Sequence, residues 1–295
     1  MTGEASPGYL PYPEVVQRIS RTMPGPKIIC TGRNPLERSY SSYRYNYVQP
    51  TLEKFRKGRV QGIEKRQDDD FYQKYLFSFE DFIKSELKQL KACFNGFGIK
   101  ATRDRWYSSN KWTQSEFDKR DDPQQELDPL IDLDNVCYGK RVNNKVLRPQ
   151  WAEIQKANPE KVILSTNAFL VQSLIGRSLY VFPLEWWYIL FQSSDITFMC
   201  TEELSDPDKL NHLAMQLGLP PHNFTDIVGK GAYNVGGHRG YDTVTPWKEL
   251  EQEEEEKNVD SIIPLSEEVR QEYLDFVRPY NERLFTLIGK RCDWD

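Results

Sequence analysis

Apolar positions along the chain fall into short runs set in a polar background. The first of these, KIICT at 27–31, breaks off abruptly at Gly32, Arg33 and Asn34. A run of this length and composition predicts a buried strand, and the apolar spacing ahead of it predicts a helix from Pro13 to Met23. Directly after it a second helix is well specified. Asn34 is a preferred N-cap, Pro35 suits the first helical position and Glu37 falls where a capping-box acid belongs.

From about 48 to 160 the chain is polar, with KRQDDD and KRDDPQQELD, and outside the run DFIKSELKQLKACF it reads as an insertion of loops and short helices rather than core. Within it DFIKSELKQLKACF has helical periodicity through Phe82, Leu87, Leu90 and Phe94. Apolar patterning returns at Lys161, where KVILST is a strand end or, preferably, a helix start. SLYVFPLEWWYILF predicts an apolar helix and DITFMC a buried strand. Asp206 as N-cap, Pro207 behind it and Gly218 past the end mark a helix over DPDKLNHLAMQLG. A glycine-rich loop, GKGAYNVGGHRGYD, and an acidic run, ELEQEEEEK, come next, the latter reading as solvated surface. A last helix from Ser266 carries the stripe Val269, Tyr273, Val277, Tyr280, Leu284 and Leu287 and stops at Gly289.

Apolar strands alternating with helices predict an α/β fold with a parallel sheet, and ligands in such folds sit at the carboxyl ends of strands. The 295 residues, 38% hydrophobic, supply core for one large domain spanning 1–295 with the polar insertion. A net charge of −5 gives no general attraction to nucleic acid or to an anionic membrane, so no nucleic-acid partner is expected and an anionic ligand needs a local cluster. No window approaches the ~20 apolar residues of a membrane span, and the first residues lack a signal-peptide pattern, so no membrane anchor is expected in this chain. Cys30, Cys93, Cys137, Cys200 and Cys292 lie far apart without metal-type spacing, which supports neither a zinc site nor a dense disulfide framework. Cys30 and Cys200 sit in apolar runs and read as small core residues. A single Asn-x-Thr sequon, Asn223 to Thr225, matters if the chain is secretory.

Candidate chemistry concentrates at the end of the first strand. A helix N-terminus offers free N–H groups and the positive end of the dipole, and Arg33 adds a fork of donors suited to a phosphate. Ser41 stands seven residues after Asn34, two turns along the same face and about 10 Å further by the helical rise. Arg33 and Ser41 can thus grip one anion from two sides, although the spacing alone fits a surface arginine and an ordinary helix serine as well. In the glycine-rich loop, Lys230 and Arg239 can add charge where glycines let the backbone approach a ligand. His238 in that loop is the candidate among the histidines, and His212 and His222 read as structural or exposed. No Ser-His-Asp order, HExxH or Walker lysine motif is present, so hydrolase and kinase chemistry lack a handle, and no catalytic residue or metal ligand is assigned. Basic residues of the insertion, among them Lys54, Arg56, Lys57 and Arg66, would suit an anionic polysaccharide but are mixed with enough acids to be a solvated surface.

The stretch RNPLERSYSSYRYNY resembles the 3′-phosphate-binding motif of sulfotransferases that use 3′-phosphoadenosine-5′-phosphosulfate (PAPS). In that family an arginine closing a strand and a serine eight residues later bind the 3′-phosphate, positions that fall on Arg33 and Ser41. EASPGYL near the start resembles the segment ahead of this motif in carbohydrate sulfotransferases. GRSLYVFPLEWWYILFQSSDITFMCTEEL, with Gly176, Tyr180 and Trp187 at matching places, resembles their glycine-tyrosine-tryptophan helix and the following strand. PLSEEVRQEYLDFVRPYNERLFTLIG resembles their closing helix. The nearest resemblance is to the enzymes that sulfate glycosaminoglycans in the Golgi, of the N-acetylgalactosamine 4-sulfate 6-O-sulfotransferase type.

The resemblance implies a P-loop-like three-layer fold with a central parallel sheet between helices, PAPS as co-substrate without a metal, and a sulfated or acidic polysaccharide as acceptor in the Golgi lumen. Arg33, Ser41, Lys230 and Arg239 are the implied nucleotide-binding residues. The chain departs from the pattern in three ways. The first strand and the phosphosulfate-binding loop with its lysine are expected upstream of EASPGYL and are not in this sequence. Ala5 stands where heparan-type relatives often have lysine, and Pro183 where many have histidine. The departures leave a second expectation open, a sulfotransferase-like protein that binds nucleotide or glycan without catalysing transfer.

Overall fold

The structure is a computed structural model that describes residues 3–5, 8–96, 154–163, 173–233, 244–246 and 263–294. KVILST from 164 onward, Arg239, His238 and the acidic run lie outside the described residues. The chain divides into two compact units. One takes in Met1–Pro26, Pro35–Ile196 and Leu265–Arg291, and the other Lys27–Asn34, Thr197–Pro264 and Cys292–Asp295.

The first unit is helical. Helix α1 (Pro13–Thr22) is followed, after the chain's excursion into the second unit, by α2 (Pro35–Tyr43), a π-helical segment (Arg44–Val48) and α3 (Gln49–Arg56) without a break. The cause of the π segment is legible in the sequence: Pro50 has no N–H to return to the carbonyl four residues back, and the ladder widens ahead of it. The Gln49 N–H reaches five residues back to the Arg44 carbonyl, and the Asn46 side chain donates to the Ser42 carbonyl at 3.0 Å. Helices α4 (Asp69–Gln73) and α5 (Phe79–Gly96) follow, then α6 (Val181–Leu190) and, near the chain end, α9 (Glu267–Ile288).

The periodic run DFIKSELKQLKACF buries Phe82, Ile83, Leu87 and Leu90 as its spacing predicts, but the rest of the polar stretch, expected to contribute little core, buries Leu52, Phe55, Tyr72, Phe77 and Phe79 as well. The Phe55 and Tyr72 rings stack at 4.7 Å, and the Tyr47 and Phe82 rings meet edge to face at 5.0 Å. Such pairs add about 0.5–1.5 kcal/mol each beyond their area. Composition averaged over a long window concealed aromatic residues spaced at helical intervals. Helix α6 buries every residue from Val181 to Ile189, so its apolar sequence reflects burial on all sides. It includes Glu185, whose carboxylate lies 3.2 Å from Arg283 Nε on α9.

The second unit is built on a small two-stranded parallel sheet, β1 (Ile28–Gly32) beside β2 (Ile196–Cys200), compatible with an α/β chain. Helix α7 (Pro207–Gln216) opens as the sequence predicts: the Asp206 carboxylate accepts from the backbone N–H of Asp208 and of Lys209. After the short α8 (Phe224–Val228), strands β3 (Ala232–Tyr233) and β4 (Val244–Thr245) pair antiparallel, Ala232 opposite Thr245 and Tyr233 opposite Val244.

Cys200 is buried, as a small core residue should be, and it also forms a disulfide with Cys292, across 5.6 Å between Cα atoms and 92 residues of chain. Cys93 is disulfide-bonded as well, and Cys30 alone is a free thiol among the described residues. Spacing along the sequence carried no sign of this, because the partners are brought together by a strand and a chain end remote from it.

Candidate functional site

The junction between β1 and α2 is held tightly on each side of Arg33. A methyl group on Gly32 would lie 2.3 Å from Phe198 Cζ and 3.1 Å from the Trp294 ring, so the strand end approaches these rings as closely as it does because residue 32 has no side chain. The Gly32 carbonyl accepts from the Thr201 hydroxyl at 2.8 Å, and the Asn34 amide donates to the Trp294 carbonyl at 3.4 Å. Arg33, between these two anchored neighbours, is exposed. The second unit thus fixes the backbone of the residue that the sequence singles out and leaves its side chain facing solvent.

Trp294 and Thr201 were not found from the sequence. Trp294 is the penultimate residue of the chain, buried to 4% exposure, and the disulfide two residues before it ties this end to β2. The Asp293 N–H donates to Glu202 Oε1 at 3.1 Å, a second tie between the chain end and the residues after β2. The signal that could have pointed there is the pairing of an apolar strand ending in cysteine with a terminal Cys-Asp-Trp, which only a tertiary contact explains.

In the first unit, α2 separates into two faces. Pro35, Leu36, Ser39 and Tyr43 are buried, whereas Glu37 and Ser41 are exposed. The buried face is polar at its centre. Ser39 Oγ lies 2.8 Å from the Pro35 carbonyl, 3.0 Å from the Leu174 carbonyl, 3.2 Å from Ser178 Oγ and 3.0 Å from the Tyr273 hydroxyl. Ser178 Oγ donates in turn to the Leu174 carbonyl at 2.9 Å, and Arg38 Nη1 donates to the same carbonyl at 2.9 Å. Glu86 on α5 supports the 174–176 turn from its other side, accepting from the N–H groups of Ile175 and Gly176 at 2.9 Å each. Residues on α2 and α5 hold the 174–176 turn and Tyr273 on α9 braces Ser39, so Ser41 projects from a helix whose position is set by hydrogen bonds as well as packing.

Burial dominates the acid–base behaviour of this unit. Tyr43, Tyr47 and Tyr273 are pushed above the usual phenol range chiefly because ionising them would place a charge in the apolar interior. The Arg38 guanidinium is held below its ordinary value by desolvation in the first place. These groups act as fixed hydrogen-bonding partners at neutral pH. In the second unit burial pushes the Cys30 thiol up to about 12.

The remaining sequence candidates fall as follows. Lys230 is exposed between Gly229 and Gly231, directly before β3, and Gly231 takes a φ of +135° that favours glycine. The β3–β4 ladder joins the two ends of the glycine-rich segment. Arg239 and His238 lie outside the described residues. Arg33 and Lys230 belong to the second unit and Ser41 to the first. On the surface of α3, α4 and the segment between them, Arg56 pairs with Asp69, Lys57 with Glu53 and Arg66 with Glu64, as a solvated mixed-charge face does.

Comparison with known proteins supports a sulfotransferase-like relationship at a distance. The relative is the membrane-associated sulfotransferase kil1 of Dictyostelium discoideum, 21% identical over 303 aligned residues that take in all of this chain and 53% of the relative. The chain thus spans about half the length of the curated relative it matches. No family model and no solved structure matches. Among the described residues no helix is long and apolar enough to cross a membrane.

Proposed function

We propose that this protein transfers a sulfuryl group from PAPS to a hydroxyl of a carbohydrate, a glycosaminoglycan-like polysaccharide in the Golgi lumen, on a P-loop-like three-layer fold. The observation that carries the proposal is the pinned end of β1 in the second unit, where Arg33 is exposed at the carboxyl end of a parallel strand between two anchored neighbours. The distant likeness to kil1 supports the reaction class. In the reaction the acceptor oxygen bonds to sulfur, the bond from sulfur to the bridging phosphate oxygen breaks, 3′-phosphoadenosine-5′-phosphate leaves, and the hydroxyl proton passes to a general base. The chain's own part in such a step is chiefly positioning and charge neutralisation, by analogy with phosphoryl transfer. Arg33 and Ser41 hold the 3′-phosphate, with Lys230 and Arg239 adding positive charge from the glycine-rich segment.

The test is a calorimetric titration of the full gene product with 3′-phosphoadenosine-5′-phosphate and with ATP, beside its Arg33→Ala variant. A charge-assisted hydrogen bond contributes about 1.5–3 kcal/mol, so Arg33→Ala should weaken the 3′-phosphorylated nucleotide by roughly tenfold or more and leave ATP unaffected. Equal affinity of wild type and variant, or equal affinity for the two nucleotides, overturns the assignment.

A further inference from the structure

We propose that Asn223 carries an N-linked glycan, which makes the loop between α7 and α8 a modification site of a protein matured in the secretory lumen. Asn223, Phe224 and Thr225 form the Asn-x-Thr acceptor triplet without proline at the middle position, and no other Asn-x-Ser/Thr triplet occurs in the 295 residues. By itself a triplet is a weak signal. The structure adds two independent observations.

The first is access. Asn223 and Thr225 are both exposed, as are Pro220, Pro221 and His222 ahead of them, so a bulky polar group here displaces no core residue. The Asn223 amide makes one side-chain hydrogen bond, from Nδ2 to Asp226 Oδ2 at 2.8 Å. An amide nitrogen carries two hydrogens. Attaching a sugar consumes one, and the other can keep its bond to Asp226, so the modified asparagine suits the folded loop.

The second is redox compartment. Cys200 and Cys292 are joined by a disulfide within this unit, and Cys93 is disulfide-bonded in the other. Such bonds form and persist in oxidising compartments and are rare among cytosolic proteins. A chain that acquires them in the lumen is exposed to the glycosylation machinery of the same lumen. The step balances simply. Asn223 Nδ2 bonds to C1 of the first sugar of a lipid-diphosphate-linked oligosaccharide, the bond from C1 to the diphosphate oxygen breaks, the lipid diphosphate leaves with the electron pair, and one amide proton is lost. The inference does not depend on the sulfuryl-transfer proposal, and nucleotide binding plays no part in its test.

The test uses the full gene product purified from cells of the organism that encodes it. Its peptide containing Asn223 is analysed by mass spectrometry after enzymatic removal of N-glycans in heavy-oxygen water, and Cys200 and Cys292 are assigned on unreduced digests. The expected result is conversion of Asn223 to heavy-labelled aspartate together with a Cys200–Cys292 cross-linked peptide. The Asn223→Gln and Thr225→Ala variants should both lose the glycan, and Thr225→Ser should keep it. Thr225→Ala leaves the Asn223–Asp226 bond in place and so separates loss of the acceptor from misfolding. Recovery of Asn223 unmodified throughout, or of Cys200 and Cys292 as free thiols, overturns the proposal.

Discussion

The hydroxyl of Tyr273 on α9 lies 3.0 Å from Oγ of Ser39 on α2, joining the last helix of the chain to the helix that carries Ser41. Both groups are fully buried, so neither can exchange this partner for water. Tyr273→Phe removes one hydroxyl and should cost about 1 kcal/mol. Ser39→Ala strips a partner from several buried groups at once and should cost about 1–3 kcal/mol. Urea unfolding of the two variants checks this, and midpoints equal to that of wild type would show that the network contributes nothing.

Gly32→Ala should destabilise the second unit by about 1–3 kcal/mol, because the added methyl meets a Phe198 ring that is itself buried against Trp294. The same change should disturb the adjacent Arg33. A combined measurement of unfolding midpoint and nucleotide affinity is informative: a variant as stable as wild type contradicts the close approach at this strand end.

Breaking the Cys200–Cys292 link opens a loop of 92 residues, for which loop-closure entropy amounts to about 4–5 kcal/mol. Cys292→Ser should therefore lower the unfolding temperature substantially, and reductant should do the same to wild type but not to the variant. Insensitivity of wild type to reductant would refute the role given to this bond.

Cys30 sets a limit on alkaline stability. Its folded pKa, raised from 9.0 to about 12 by burial, exceeds that of the unfolded chain, so above pH 9 the unfolded state loses a proton that the folded state retains. Stability is full below pH 9 and falls as pH rises toward 12, at up to about 1.4 kcal/mol per pH unit. Tyr43, Tyr47 and Tyr273 add losses of the same sign at higher pH. Denaturation of Cys30→Ala between pH 8.5 and 10 should show a flatter profile than wild type, and parallel profiles would exclude the thiol as the cause.

Glu185 is buried beside Arg283, and truncating one member of such a pair strands the other charge. Glu185→Ala should cost about 3–5 kcal/mol, whereas replacing both residues with leucine should recover much of that loss. A double-mutant cycle by chemical unfolding measures the difference.

Much of the local structure was legible because short-range physics writes it into neighbouring residues. Asp206, Pro207 and Gly218 bound α7 as capping chemistry predicts, and the stripe on α9 buries Val269, Tyr273, Val277 and Leu284. Strand β1 lies within one residue of its expected place. At the junction Arg33 and Ser41 are exposed, and the comparison with known proteins supports a sulfotransferase-like relationship at a distance.

The sequence by itself determined the ends of α1, β1, α7 and α9 to within a residue or two, because caps, prolines and apolar periods act over three or four residues. Only the tertiary structure decided which distant residues meet: Cys200 with Cys292, Gly32 with Phe198 and Trp294, Ser39 with Tyr273, and the aromatic core drawn from a stretch whose average composition is polar. Those contacts depend on side-chain volume and hydrogen-bond complementarity between segments far apart in the chain, and no local pattern encodes which segment will supply the partner.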